Sequence, residues 1–226
     1  MNQNKASIHS PEYLHITEGS TVSFGANQNW YSTIFQRMAG CGPTAASNLI
    51  WYLTATRPMS CNRLCARVCT EQPNMLHLMK QVWKYVTPGL RGVDKTSILA
   101  NGVVRFADER QVPLRTAVLD VSPERSQRPS PEEVHAFLSD ALLNDLPVAF
   151  LNLGSGRVDN LDNWHWVTLV SVDRSLKAEM YDQGVRQDID LALWLSTAAR
   201  GGGFVTFDPI ALRGAVTAPN DPGLLP

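Results

Sequence analysis

The sequence predicts an α+β fold in which a helical N-terminal half packs on one side of a mostly antiparallel, C-terminal sheet. Three observations carry this expectation. Apolar residues recur at helical spacing in several segments between about residues 43 and 142, with one strand-like stretch among them; after Pro147 they change to short runs of strand length; and the two halves supply one set of apolar faces. With 226 residues, 44% of them hydrophobic, the chain is long enough to bury a sizeable core. The expected division is a polar arm over residues 1–24 and a single domain over residues 25–226.

Taken in order, the first 24 residues are polar and aperiodic and read as an arm laid on the surface or partly disordered. Residues 25–42 are an aromatic-rich loop (Trp30, Tyr31, Phe35) ending in Gly-Cys-Gly-Pro. A helix starts there, because Pro43 suits a first turn that has no use for its N–H. Ala45, Ala46, Leu49, Ile50 and Leu53 follow at helical spacing, with Trp51 and Tyr52 on further faces; a helix apolar nearly all round is central and buried. Ser60 can cap a second helix with the stripe Cys61, Leu64, Cys65, Val68 and Cys69. Asn74 can cap a third, with Met75, Leu78, Met79, Val82, Trp83 and Val86 on one face. Residues 95–109 form a helix interrupted by Gly102, and residues 114–121 alternate like a strand. The Pro/Ser/Arg-rich residues 122–131 are an exposed connection, and Ser130-Pro131-Glu132-Glu133 is a capping-box start for a helix through Val134, Phe137, Leu138 and Leu142. Residues 148–153, 165–172, 178–181 and 203–207 read as strands, with one late helix over residues 188–199.

Composition excludes several functions. Lys and Arg (20) nearly cancel Asp and Glu (21) and form no dense run, so a phosphate-tracking nucleic-acid surface is not expected. No apolar stretch approaches the ~20 residues of a membrane helix, and the N-terminus has no apolar core behind a basic start. Four cysteines do not make a disulfide scaffold. A cytoplasmic, soluble protein without a membrane or nucleic-acid partner is the expectation.

Chemistry is expected at Cys41. It lies between two glycines where the buried helix begins, and the free N–H groups of a helix N-terminus favour a thiolate over a thiol. The flanking glycines would let a substrate carbonyl approach the backbone, with the Cys41 N–H facing a developing oxyanion. Taken alone, Cys41 reads equally as a small buried residue beside a tight turn. His165 opens the strand His-Trp-Val-Thr-Leu-Val-Ser-Val-Asp, and strand alternation sets it with Val167 and Leu169, opposite Trp164, Trp166 and Thr168. A core histidine is the competing reading, but the strand end follows the polar residues 159–163, and such mouths hold catalytic groups. A base needs an acceptor for its second ring nitrogen. A return strand through Met180 and Tyr181 brings Asp182 near the level of His165, in competition with a plain turn aspartate in Asp-Gln-Gly. Asp173 and Asp208 are not placed opposite His165. His9 and His15 fall in the arm, and His77 and His135 on polar helix faces.

Cys-Gly-Pro-Thr-Ala-Ala-Ser-Asn at 41–48, a late His-Trp-Val-Thr-Leu-Val strand, and Tyr-Asp-Gln-Gly with its aspartate seventeen positions after that histidine resemble the papain-like cysteine peptidases. The resemblance is nearest to the bacterial branch related to bacteriocin-leader processing, the double-glycine peptidase-like proteins, and covers residues 25–207. It implies a thiolate–imidazolium pair of Cys41 and His165, oriented by Asp182, acting on a peptide or protein substrate without a cofactor or metal. It also implies a glutamine upstream of the cysteine as oxyanion donor. Gln36 has the short spacing usual in papain-like enzymes, and Gln28, in Gly-Ala-Asn-Gln-Asn-Trp, resembles an upstream Gln-x-Trp segment and is preferred narrowly. Hydrolysis of a peptide or isopeptide bond leads. An acyltransferase with the same thiol chemistry and a catalytically silent binding module are the rivals.

Other signals are set aside. Cys61, Cys65 and Cys69 have neither zinc-ribbon nor iron–sulfur spacing and fall on an apolar stripe. Gly201-Gly202-Gly203 follows a helix and lacks a P-loop lysine, so helix termination accounts for it. Asp159 and Asp162 read as a solvated loop.

Overall fold

The computed structural model describes residues 5–65 and 70–210. The chain opens with strand β1 (Lys5–Ser7), then a hairpin of β2 (His15–Glu18) and β3 (Thr21–Phe24). This corrects the expected polar arm. β1 pairs with the main sheet, and Ile8, Leu14 and Ile16 are buried. Their apolar side chains are too few and irregularly spaced to show a period, so their burial is decided by the surfaces they meet.

The expected loop before Cys41 contains a short helix, α1 (Ile34–Ala39), started by Thr33, whose side chain accepts from Gln36 N at 3.2 Å. Helix α2 (Cys41–Thr56) begins two residues before the expected proline, at Cys41 itself, and every residue from Cys41 to Thr54 is buried. Side chains such as Ile50 and Leu49 each contribute about 1.5–3 kcal/mol by leaving water. The expected second helix is corrected: α3 (Pro58–Cys61) is a single turn. Cys61 and Leu64 are both buried, but a tight turn in which Leu64 N donates to Cys61 O (2.9 Å) gives the same three-residue spacing as a longer helix. Val68 and Cys69 lie outside the described residues. Helix α4 (Gln72–Val82) starts ahead of the expected Asn74 cap, with Pro73 in its first turn.

Helix α5 (Thr96–Asp108) accommodates Gly102 for a packing reason: a Cβ there would lie 2.7 Å from Tyr85 O, a backbone atom that cannot rotate away. Helix propensity alone would favour alanine by about 1 kcal/mol. Gly102→Ala is instead expected to destabilise by about 1–3 kcal/mol through overpacking, seen as a lower midpoint in urea unfolding. A rise in the midpoint would show that the contact between α5 and the turn at Tyr85 yields.

Strand β4 (Leu114–Val121) leads to the expected connection, which is exposed but pinned by Arg128; its guanidinium donates to Ser122 O, Leu195 O and Ala198 O at 2.8, 2.7 and 2.6 Å. Helix α6 (Pro131–Leu143) has the expected capping box, Glu133 N to Ser130 Oγ at 3.2 Å and Ser130 N to Glu133 Oε2 at 2.7 Å. Then come β5 (Val148–Asn152), β6 (His165–Asp173), β7 (Lys177–Asp182), β8 (Val185–Asp190), α7 (Leu191–Thr197) and β9 (Gly202–Pro209). The late helix is thus corrected to a strand followed by a shorter helix. Val-Arg-Gln-Asp-Ile-Asp pairs with β7, and Asp190 ends the strand by capping α7 through Leu193 N (2.8 Å).

The sheet runs β4-β9-β5-β6-β7-β8, with β1 added to the far end of β6, and every pairing is antiparallel. This is an α+β arrangement, but the helices cover both faces. Phe204 meets Phe137 of α6 and Trp194 of α7, whereas the neighbouring Gly203 faces Thr96 of α5. Successive strand residues point to opposite faces, so α6 and α7 lie opposite α5. The expectation of one covered side fails because β5 is buried at every residue and carries no polar face. No helix among the described residues is long and apolar enough to cross a membrane.

Candidate active site

Cys41 is the first residue of α2, with Gly40 as its uncapped N-cap and Thr44 N donating to Gly40 O at 2.9 Å. Its Sγ lies 4.0 Å from Trp164 O. The flanking glycines have a packing reason beside the one the sequence suggested. A Cβ at Gly40 would lie 2.4 Å from Gln36 O and 2.8 Å from the Tyr31 ring, and one at Gly42 would lie 2.7 Å from the Val93 side chain. They let α1, Tyr31 and Val93 close around the helix start, and that packing holds Cys41 at the helix end.

His165 is the first residue of β6. Thr168 pairs with Tyr181, so continuing the register by one residue sets Asp182 opposite Val167. His165 lies two residues beyond on the same face, a diagonal neighbour. His165 Nε2–H donates to Asp182 Oδ1 at 2.7 Å, and the two side chains are only 7% and 11% exposed. With Nε2 so engaged, Nδ1 remains for Cys41, whose Sγ lies beside the carbonyl oxygen of Trp164, the residue before His165. Burial by itself would depress the His165 pKa. The hydrogen bond to Asp182 and the charge of that carboxylate, helped by Cys41 beside the ring, outweigh it and push the imidazole up to about 10.

The sign of the pH dependence follows. The folded value stands above the ordinary 6.5, so the stabilisation from the imidazolium is fully present below 6.5 and fades as pH rises through about 10. In an imidazole nitrogen NMR titration, His165 is expected to stay doubly protonated through pH 8 and to deprotonate near pH 10, with a lower midpoint in Asp182→Asn. A neutral ring at pH 7.5 would contradict the ion pair.

The turn that follows Asp182 also anchors the segment before Cys41. Gln183 and Gly184 have φ of +47° and +82°, the two left-handed residues of a tight hairpin turn between β7 and β8. Asn27 Nδ2 donates to Gln183 O and Phe24 N to Gly184 O, each at 2.8 Å. Asn48 of α2 closes the arrangement, accepting from Ala26 N (2.8 Å) and donating to Thr168 Oγ1 of β6 (3.0 Å). Composition gave no hint of Asn48 or Asn27 in this role; a buried asparagine on an apolar helix was the available signal.

This scaffold puts Gln28 in the wall of a small cavity shared with Cys41, Asn48, Trp166 and Asp182. Gln28 Nε2 donates to Arg37 O at 2.9 Å. Gln36 is not brought there; its amide oxygen accepts from Thr33 Oγ1 (3.1 Å) at the start of α1. Asp173 and Asp208 are elsewhere too. Asp173 caps its turn through Ser175 N and Lys177 N, both at 2.9 Å, and Asp208 pairs with Arg115 at 3.8 Å. His15 packs on Phe24, and His77 and His135 contact Gln81 and Ser139 of their own helices.

No protein-family model matches this chain, and no curated protein matches it. Among solved structures, the Pseudomonas avirulence protein AvrPphB is similar at 10% identity and a TM-score of 0.32, over 74% of this chain and 90% of that one. A likeness this distant carries no argument about fold family or activity.

Proposed function

We propose that the protein is a papain-like cysteine peptidase that hydrolyses a peptide or isopeptide bond, with Cys41 as nucleophile, His165 as acid and base, and Asp182 as the group that orients and charges His165. The observation that carries this reading is the placement of His165, buried and hydrogen-bonded to Asp182 at 2.7 Å, directly after Trp164, whose carbonyl oxygen lies 4.0 Å from Cys41 Sγ at the N-terminus of a buried helix. A cysteine on a central helix, facing a histidine and an aspartate on an antiparallel sheet, is the layout that the resemblance implies.

In this reading the Cys41 thiolate attacks the carbonyl carbon, forming an S–C bond and an oxyanion. The Cys41 N–H, the first donor of its helix and without a partner among the described residues, and the Gln28 amide stabilise that charge. Collapse breaks the C–N bond, and the leaving amine takes the imidazolium proton from His165. A water then gives its proton back to His165 as it adds to the thioester. Collapse of this second intermediate releases the acid and restores the thiolate–imidazolium pair. Each step uses a group already in place, and none needs a cofactor.

The test is the rate of iodoacetamide alkylation of each cysteine against pH, read by peptide mass spectrometry. Fast labelling at Cys41 well below pH 7, slowed in His165→Ala, is the expected result. Labelling of Cys41 no faster than a free thiol and rising only near pH 8 would overturn the reading and leave a silent binding module in its place.

A further inference from the structure

Cys41 also opens onto a surface groove, whose walls are Phe35 and Met38 of α1, Leu90 and Arg91 of the turn over residues 89–92, and Trp164. Phe35 meets Trp83 edge-on (ring centroids 6.1 Å), and the groove-facing surface is otherwise left open. Phe35 and Met38 are 56% and 78% exposed, and Leu90 is fully exposed. Such a set of large apolar groups around one opening marks a binding surface. The turn is ordered rather than loose: Gly89 N donates to Gly92 O (3.0 Å) and Gly92 N to Gly89 O (3.1 Å), so Leu90 and Arg91 are held at its tip.

Trp164 adds a second, independent feature. Its φ is +58°, a region that bulky residues adopt only under strain, and strain of this kind gathers at functional sites. The strained residue precedes His165 and is itself 39% exposed in the groove wall. The Arg200 guanidinium lies 5.3 Å from that ring. Arg91 makes no hydrogen bond or ion pair among the described residues, and no carboxylate lines the groove. Arg91 is therefore the one charged side chain among the described residues that line the groove.

Resting on the catalytic reading above, we propose that the groove selects peptides with a bulky apolar side chain beside the scissile bond and an acidic residue within about two positions of it. The apolar side chain packs between Met38, Leu90 and Trp164, and the acidic side chain pairs with Arg91. The groove is continuous with Cys41, so its occupant is the substrate itself. Its charge excludes a basic residue at the same place.

The test uses a library of internally quenched octapeptides that vary Leu, Phe, Ala and Lys at one position and Glu, Gln and Lys at its neighbours. The expected result is a kcat/KM about 10–100-fold higher for Leu or Phe than for Ala, with Glu preferred over Lys. In Leu90→Ser the Leu-to-Ala ratio is expected to fall toward one, and Arg91→Glu is expected to reverse the order of Glu and Lys. Both positions are exposed, so the core is untouched. If wild-type Cys41 reacts fast with iodoacetamide below pH 7 and yet the library is uncleaved, or cleaved without these preferences, the groove proposal is overturned alone. If Cys41 reacts only as a free thiol, the catalytic reading fails and the groove proposal falls with it.

Discussion

His165→Ala is expected to lower turnover of a peptide anilide about 10⁴-fold, the size seen when an acid–base partner of a nucleophile is lost. Two roles disappear together. The thiolate loses the cation that faces it, and the departing amine loses its proton donor. An activated ester separates these roles, because p-nitrophenolate leaves without needing a proton. Acylation by p-nitrophenyl acetate is therefore expected to fall less steeply than anilide turnover, while Cys41→Ala removes the acylation burst entirely. Equal losses on both substrates would show that His165 serves only to ionise Cys41. Unchanged anilide turnover would rule out the mechanism. Because His165 is hydrogen-bonded to Asp182 at 2.7 Å in a buried setting, Asp182→Ala strands the imidazole without its acceptor. It is expected to impair both reactions in the same direction.

Gln28→Ala is expected to lower kcat by about 10²–10³-fold, the loss typical of one oxyanion donor. An amide nitrogen carries two N–H donors. One of those on Gln28 is spent on Arg37 O at 2.9 Å, which fixes the amide plane and, in the proposed mechanism, leaves the second for the oxyanion. KM should change little, since the interaction strengthens as charge develops on the oxygen. Gln36→Ala is the comparison: its amide is tied to Thr33 at the start of α1, and the expected effect on kcat is less than about 3-fold. The reverse ranking, measured as kcat on one substrate, would transfer the oxyanion role to Gln36.

Much of the site was legible because its signals are local. A Gly-Cys-Gly-Pro start to an apolar helix places a cysteine at a helix N-terminus whatever the rest of the chain does, and α2 begins at Cys41. A strand that opens on His165 and returns after a short turn brings Asp182 to it by counting alone, to within a diagonal. Between Gln28 and Gln36 the sequence preferred Gln28 only narrowly, and what brings Gln28 to the cavity with Cys41 was not legible. It depends on the turn at Gln183 and Gly184, far along the chain, receiving hydrogen bonds from Asn27 and Phe24. No local pattern records that meeting. The groove was hidden for the same reason: Phe35 and Leu90 read as ordinary apolar residues until the fold leaves them uncovered beside Cys41.

The sequence by itself determined the α+β character, the buried helix, the capping of α6 and the candidates Cys41, His165 and Asp182. Each follows from periodicity, capping chemistry or register, which act over a few residues. Only the tertiary structure decided that the first residues join the sheet through β1, that helices cover both faces, and that residues 188–190 end a strand rather than begin a helix. Those outcomes turn on which apolar surface finds which partner. Burial is not directional, so its pairings are fixed only when the whole core closes.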